Sequence, residues 1–186
     1  MILFPGSVAA DDLNGADNMS GLKQQFLVAR RDWFQTIAKP ANDLNSPAFN
    51  PLADFIGTVE IRDSHTFKTG FGFMEVYCTF DKGSYKVDEP KNNDQNGGMH
   101  TITGFIPGAY ANKMAFLRNA QNYNWICLVK TMQDVYLQVG IQDLWARISA
   151  GFQIGNTTGD ISGFPITVKA FMASPLIYSG TVTLHP

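Results

Sequence analysis

Apolar residues recur with a period of two along much of this chain. Trp125-Ile126-Cys127-Leu128-Val129 is an apolar run of strand length, and Val135, Leu137 and Val139 then alternate with Tyr136 and Gln138. A buried strand followed at once by an edge-like one is expected there. Upstream, residues 71–80 place Met74, Val76, Cys78 and Phe80 on one face, and residues 56–62 alternate in the same way, as strands do. Residues 22–29 and 99–106 supply two more strands, and 165–172 with 177–184 read as a final strand pair. Helical spacing stands out once: behind Pro107-Gly108, the residues Tyr110, Met114 and Leu117 fall at i, i+4 and i+7. That predicts one short helix over about 109–120, packed on a sheet. About eight or nine strands with one helix, and no β/α alternation, predict an antiparallel β-sandwich or barrel.

Polar, turn-forming stretches divide these elements. Residues 155–163 are rich in Gly, Asn, Thr and Asp, which suit turns. Residues 1–21 lack periodicity and predict an extended N-terminal arm that orders only against a neighbour, leaving 22–186 as a single domain. Residues 31–37 predict a short turn or helix, and 41–51 a loop. Residues 81–98 form the longest polar interruption, longer than an ordinary connection in a compact domain. They carry Lys82, Lys86, Asp88, Glu89, Lys91 and Asp94, which makes those six side chains the candidate contacts to an adjacent subunit or ring, where mixed-sign charge sets register.

Composition sharpens this picture. Of 186 residues, 45% are hydrophobic and 16% charged, against roughly 25% charged in an average soluble chain. Two explanations stay open: a thick core under a neutral polar surface, or burial of much of the surface between subunits. The formal net charge is −2 with basic residues scattered singly apart from Arg30-Arg31. Sequence-specific reading of nucleic acid is therefore not expected, and any contact with DNA should be weak and sequence-independent. Cys78 and Cys127 lie in apolar strand patterns and read as reduced core residues. The start, Met1-Ile2-Leu3-Phe4-Pro5, lacks a basic n-region and is too short to span a membrane, so a soluble protein made in the cytoplasm, with no membrane partner, is expected.

Reactive chemistry is sparse. His65, His100 and His185 lack partners at metal-ligand spacing and read as surface or strand histidines. Asp63-Ser64-His65 holds the residue types of a hydrolase triad, but neighbours in a strand alternate faces and cannot line up. Gly70-Phe71-Gly72 has Glu75 where a third phosphate-loop glycine would stand, and a bend or bulge is the better account. Residues 92–97, Asn-Asn-Asp-Gln-Asn-Gly, match the first half of a calcium loop, but Thr103 occupies the place of its bidentate Glu. Neither catalysis nor a cofactor or metal is expected. Asn18 and Asn156 begin glycosylation sequons that matter only in a secreted eukaryotic protein.

The order of segments carries a resemblance. Gly21-Leu22-Lys23-Gln24-Gln25-Phe26-Leu27-Val28 leads into a first strand, an aromatic-rich middle pair follows, and a short helix precedes a hydrophobic strand over 109–129. A strand ending at Gly140, a Gly-Asn-Thr-Thr-Gly turn, Asp160-Ile161-Ser162-Gly163-Phe164-Pro165-Ile166-Thr167-Val168 and Ser174-Pro175-Leu176-Ile177-Tyr178-Ser179-Gly180 complete it. Over about residues 20–184 the chain resembles virion proteins of tailed bacteriophages, in particular a tail-tube-like group from phages of Bacteroidetes. The resemblance implies a β-sandwich or barrel protomer forming a ring with its own copies, often a hexamer. The rings would stack with other virion proteins into a conduit that DNA passes without specific binding, and no catalytic residues carry over. It also implies a protein made in a bacterial host and located in the virion. The chain departs from the group in having no clear acidic stripe, and Pro165 is expected to limit pairing in the last strands. A head-to-tail connector ring and a minor capsid protein remain alternatives. From another class, so does a carbohydrate- or surface-binding sandwich using Trp33, Trp125, Trp145, Tyr77, Tyr85 and Tyr136.

Overall fold

The chain folds as a mainly β protein, a sandwich of two open sheets with a small third pair. The computed structural model describes residues 21–43, 46, 49–50, 54–79, 82–88, 97–154 and 162–186; the statements below concern those residues. The N-terminal arm up to residue 20 and the Asn92–Asn96 part of the calcium-like motif lie outside them, as do both sequon asparagines.

The larger sheet has six strands. In spatial order they are β3 (Glu60–Ile61), β12 (Leu176–Tyr178), β9 (Tyr136–Val139), β8 (Trp125–Thr131), β1 (Leu22–Arg30) and β5 (Met74–Tyr77). The second has four: β10 (Arg147–Ala150), β11 (Gly163–Met172), β7 (Gly98–Pro107) and β6 (Ser84–Asp88). A two-stranded pair joins β2 (Phe34–Thr36) to β4 (Thr66–Phe67). Neither large sheet closes on itself, so the fold is a sandwich and not a barrel. All pairings between these strands are antiparallel except β12 with β3, and an isolated parallel bridge joins Phe73 to Leu184.

Residues 26–29 and 125–129 are buried without interruption. They form the middle of a sheet covered on both faces, which explains why they read as continuous apolar runs instead of alternating. Each fully buried Leu, Ile, Val or Phe there contributes about 1.5–3 kcal/mol. On one face the sheets meet closely at Gly104, where a Cβ would lie 2.8 Å from Cys78 Sγ and 3.4 Å from the Phe26 ring. On the other, Phe34, Phe67, Phe73, His65 and Tyr178 form a packed aromatic cluster. Cys78 and Cys127 are free and buried, as the sequence predicts.

The one α-helix among the described residues, α1 (Ala111–Ala120), falls where expected. It buries Leu117 and Ala120, whereas Tyr110 and Met114 of the expected apolar face stay exposed. Trp125 holds its end by donating Nε1–H to the Ala120 carbonyl at 2.7 Å. Other expectations are corrected. β9 is an interior strand, between β8 and β12, and its Gln138 is fully buried. β11 and β12 do not pair with each other; they sit in different sheets. Residues 56–58 form a 3-10 turn, leaving only Glu60–Ile61 as strand.

Pro165 sits inside a fully paired β11. Phe105, opposite it, turns its own N–H and carbonyl to Cys78 and Thr79, so the bond that proline lacks is not needed by β7. On the other side the Pro165 carbonyl accepts Gly151 N–H at 2.9 Å, just past the end of β10. This is a position where proline's missing donor does little harm.

Candidate interaction surface

The charged segment 81–98 is not one loop, because its centre is a strand. Ser84–Asp88 pairs along its whole length with β7, from Ser84 opposite Thr103 to Asp88 opposite Met99, and the connection reduces to the residues between 88 and 98. Four of five residues in this strand are exposed, and polar Ser, Lys and Asp alternate with Tyr85 and Val87, which suits an edge. Of the six candidate contacts, Lys86 and Asp88 therefore lie on a strand edge, where they pair with each other at 3.2 Å. Lys82 is exposed just ahead of it. Glu89, Lys91 and Asp94 lie outside the described residues.

β6 is the last strand of its sheet, and β5 is the last of the other. Only residues 78–83 connect them, and that crossing is tied to both sheets by Cys78 N–H to the Gln24 carbonyl at 2.6 Å and Thr79 N–H to the Phe105 carbonyl at 2.8 Å. Two terminal strands thus share one flank of the sandwich, and just ahead of β5 the residue Phe73 is bridged to Leu184 of the C-terminal segment.

Cross-strand register also organises the outward face of the four-stranded sheet, since directly opposed residues share a face. Ser84, Thr103, Thr167 and Ser149 are opposed in turn across β6, β7, β11 and β10, forming a row of hydroxyls; Ser84 and Thr103 bond at 2.7 Å. Two residues along, the same strands align Lys86, Thr101, Lys169 and Arg147. Lys169 and Arg147 are exposed, directly opposed, and without an acidic partner among the described residues. Thr101, between the two lysines, is 4% exposed and its Oγ1 has no hydrogen-bond partner. The sequence scatters these cations over more than eighty positions, and only the register brings them together.

The other candidate groups are structural in their contacts. His65 is buried, not a surface residue: Nδ1 accepts the Ala38 N–H at 3.0 Å, so Nε2 carries the proton and donates to Gln138 Oε1 at 2.9 Å. Neither nitrogen meets Asp63 or Ser64, whose hydroxyl accepts Thr181 N–H. His100 is also buried, its Nδ1 bonded to the Tyr85 hydroxyl at 2.7 Å, and burial pushes that phenol up to about 12. Thr103 lies in a strand, as expected, and among the described residues no group of three or more His, Cys, Asp or Glu could hold a metal ion. Trp125 is core and meets Trp33 edge-on with ring centroids 6.4 Å apart, Tyr85 packs against the core, and Tyr77 and Tyr136 belong to the six-stranded sheet, away from the sheet of Tyr85. A pocket of about 140 Å³ beside Ala38, Ile141, Met172 and Leu176 has Lys39, Asp43 and Asp143 as its charged lining, and Lys39 is paired with Asp43.

No protein-family model, curated protein or solved structure matches this chain.

Proposed function

We propose that this protein is a structural virion subunit of a tailed bacteriophage that self-associates edge to edge into rings, hexameric by resemblance, which stack as a tail tube and let DNA pass. The observation that carries the reading is the flank on which β5 and β6 both end their sheets. Unpaired strand edges template pairing with another chain, and where this flank meets the opposite sheet ends of the next copy, β3 and β10, the contact is head-to-tail and closes into a ring or grows into a fibre. The charges of β6 and of the adjoining connection, Lys82, Lys86, Asp88, Glu89, Lys91 and Asp94, then set the register between copies or between rings. A charge-poor surface is the composition that interlocking subunits need.

Purified protein examined by light scattering and negative-stain microscopy tests this. Rings or tubes are expected at micromolar concentration. Replacing residues 89–97 by an Asn-Gly turn closes the β6–β7 hairpin directly and keeps both strands, so rings should persist while stacking shortens. A sharp monomer mass at every concentration, or a monomer that binds glycans, would reject the assembly reading.

A further inference from the structure

We infer that the free edge of β5 is a strand-addition site, and that the run Met1-Ile2-Leu3-Phe4 of the next copy of the chain fills it. The backbone directions at this edge follow from one bond. Cys78 N–H donates to the Gln24 carbonyl, in line with the pairing of Tyr77 with Gln25. Alternate residues of an antiparallel strand point their backbone groups the same way, so Met74, Val76 and Cys78 face β1, while Phe73, Glu75, Tyr77 and Thr79 face outward. The two ends of the outward set are taken. Phe73 donates to the Thr183 carbonyl and accepts the His185 N–H, both at 2.9 Å, and Thr79 donates to the Phe105 carbonyl at 2.8 Å. Between them the N–H and carbonyl groups of Glu75 and Tyr77 have no partner among the described residues. The vacancy is the length of a short strand.

A groove makes this edge selective. It has a volume of about 230 Å³, lies beside β5 and α1, and is lined by Met74, Val76, Ile106 and Phe116, with Asn112 and Lys113 of the helix. A strand added to β5 bonds its main chain to Glu75 and Tyr77 and turns every second side chain into the groove, the two components of β-augmentation. The occupant is therefore short, extended and apolar. Ahead of Leu22 only Met1-Ile2-Leu3-Phe4 is a run of four apolar residues, and Pro5 behind it has no N–H with which to continue a ladder. Residues 5–20 form the tether and span at most about 55 Å. The way the chain enters β1 assigns the donor. The Gly21 carbonyl accepts the Met132 N–H at 3.1 Å, and Leu22 pairs with Thr131, which ties the start of β1 to the β8 side, away from β5. The β3 end of the sheet lies three strands beyond β8, about 14 Å away, and in the head-to-tail contact that end meets the β5 flank of the neighbour. The choice of the neighbour as donor rests on the subunit reading; the vacant edge and its groove do not.

Residue-resolved amide hydrogen exchange on the full chain tests the assignment. The Glu75 and Tyr77 amides should exchange at least about tenfold more slowly in the wild type than in the double variant Ile2→Asp/Leu3→Asp, which puts a carboxylate into the groove whichever phase the run takes. The Val76 amide, bonded to β1, should be equally slow in both. Glu75→Pro removes an outward donor at an edge, where proline is tolerated, and should expose the Tyr77 amide as the double variant does, whereas Glu75→Ala should leave it protected. The donor is identified by mixing copies that carry Leu3→Cys alone with copies that carry Tyr77→Cys alone and adding a short bis-maleimide; the native cysteines are buried, and a cross-linked pair of chains is expected. The inference is overturned if the Glu75 and Tyr77 amides exchange equally fast in the wild type and the double variant, or if a chain carrying both cysteines links only to itself. Assembly is scored separately in micrographs. Rings with fast Glu75 and Tyr77 amides refute this site and leave the subunit reading intact, whereas protected amides and cross-links between chains in a discrete dimer that forms no rings refute the subunit reading and leave the site.

Discussion

Lowering the pH from about 7.5 to about 5 should cost this fold about 2 kcal/mol, with His65 carrying most of the loss. The ring is 3% exposed, and its Nδ1 must stay unprotonated to accept the Ala38 N–H. Burial pushes its pKa down to about 4, against about 6.5 in an unfolded chain. Between those values the unfolded state binds the proton and the native state does not. The stability is therefore fully present above about pH 6.5 and falls as the pH drops toward 4, by about 1.4 kcal/mol per unit at most. The integral is about 2 kcal/mol at pH 5 and about 3 near pH 4. The window above pH 5 keeps carboxylates out of the measurement: Arg62 holds Asp54 below its usual range, and the Ser179 hydroxyl together with Arg62 does the same for Glu60. Urea unfolding followed by tryptophan fluorescence at the two pH values supplies the numbers. His65→Gln should be less stable at pH 7.5 and lose most of the pH dependence, keeping a residue of it from His100, which burial shifts in the same direction. Equal stability of the wild type at both pH values, or an undiminished drop in the variant, would refute the assignment.

Gly104→Ala should destabilise by about 1–3 kcal/mol by overpacking, because its methyl would press on Cys78 Sγ between the sheets; an unchanged denaturation midpoint would show that the sheets can part at no cost. Trp125→Phe removes the donor that reaches the Ala120 carbonyl and should cost about 1–3 kcal/mol, with faster amide exchange over α1 than over β8 as the specific sign. Cys127 is fully buried and burial pushes its thiol pKa up, so it should react with a thiol reagent only at the rate of global unfolding; fast labelling of the native protein would contradict its place in the core.

Elements defined by local pattern were legible in the sequence. The apolar run 125–129, the alternation at 74–78 and the helix after Pro107-Gly108 depend on neighbours along the chain, and the structure has them. What was hidden depends on pairing. Ser84–Asp88 carries so much charge that it resembles a loop, since an edge strand needs few apolar residues. Gln138 occupies an alternating polar position that normally faces water, and only the distant His65 gives it a buried partner. The final two strands read as a hairpin from their closeness in sequence, but residues 173–175 carry the chain from the four-stranded sheet to the six-stranded one. The basic row was invisible for the same reason: its members come from β6, β11 and β10, and single cations at wide spacing reveal nothing until register aligns them.

The position of β1 has a consequence for how the protein is made. Phe26 lies between Val76 on one side and Val129 on the other, so this strand is made before either of the strands that enclose it. At roughly 5–20 residues per second, Val129 follows Phe26 by about 5–20 s. Throughout that time Phe26-Leu27-Val28-Ala29 is an unpaired apolar strand in a chain whose contacts are mostly distant, the circumstance in which folding is slow and off-pathway association competes. Yield in a bacterial host should then depend on temperature and synthesis rate more than on the stability of the finished fold.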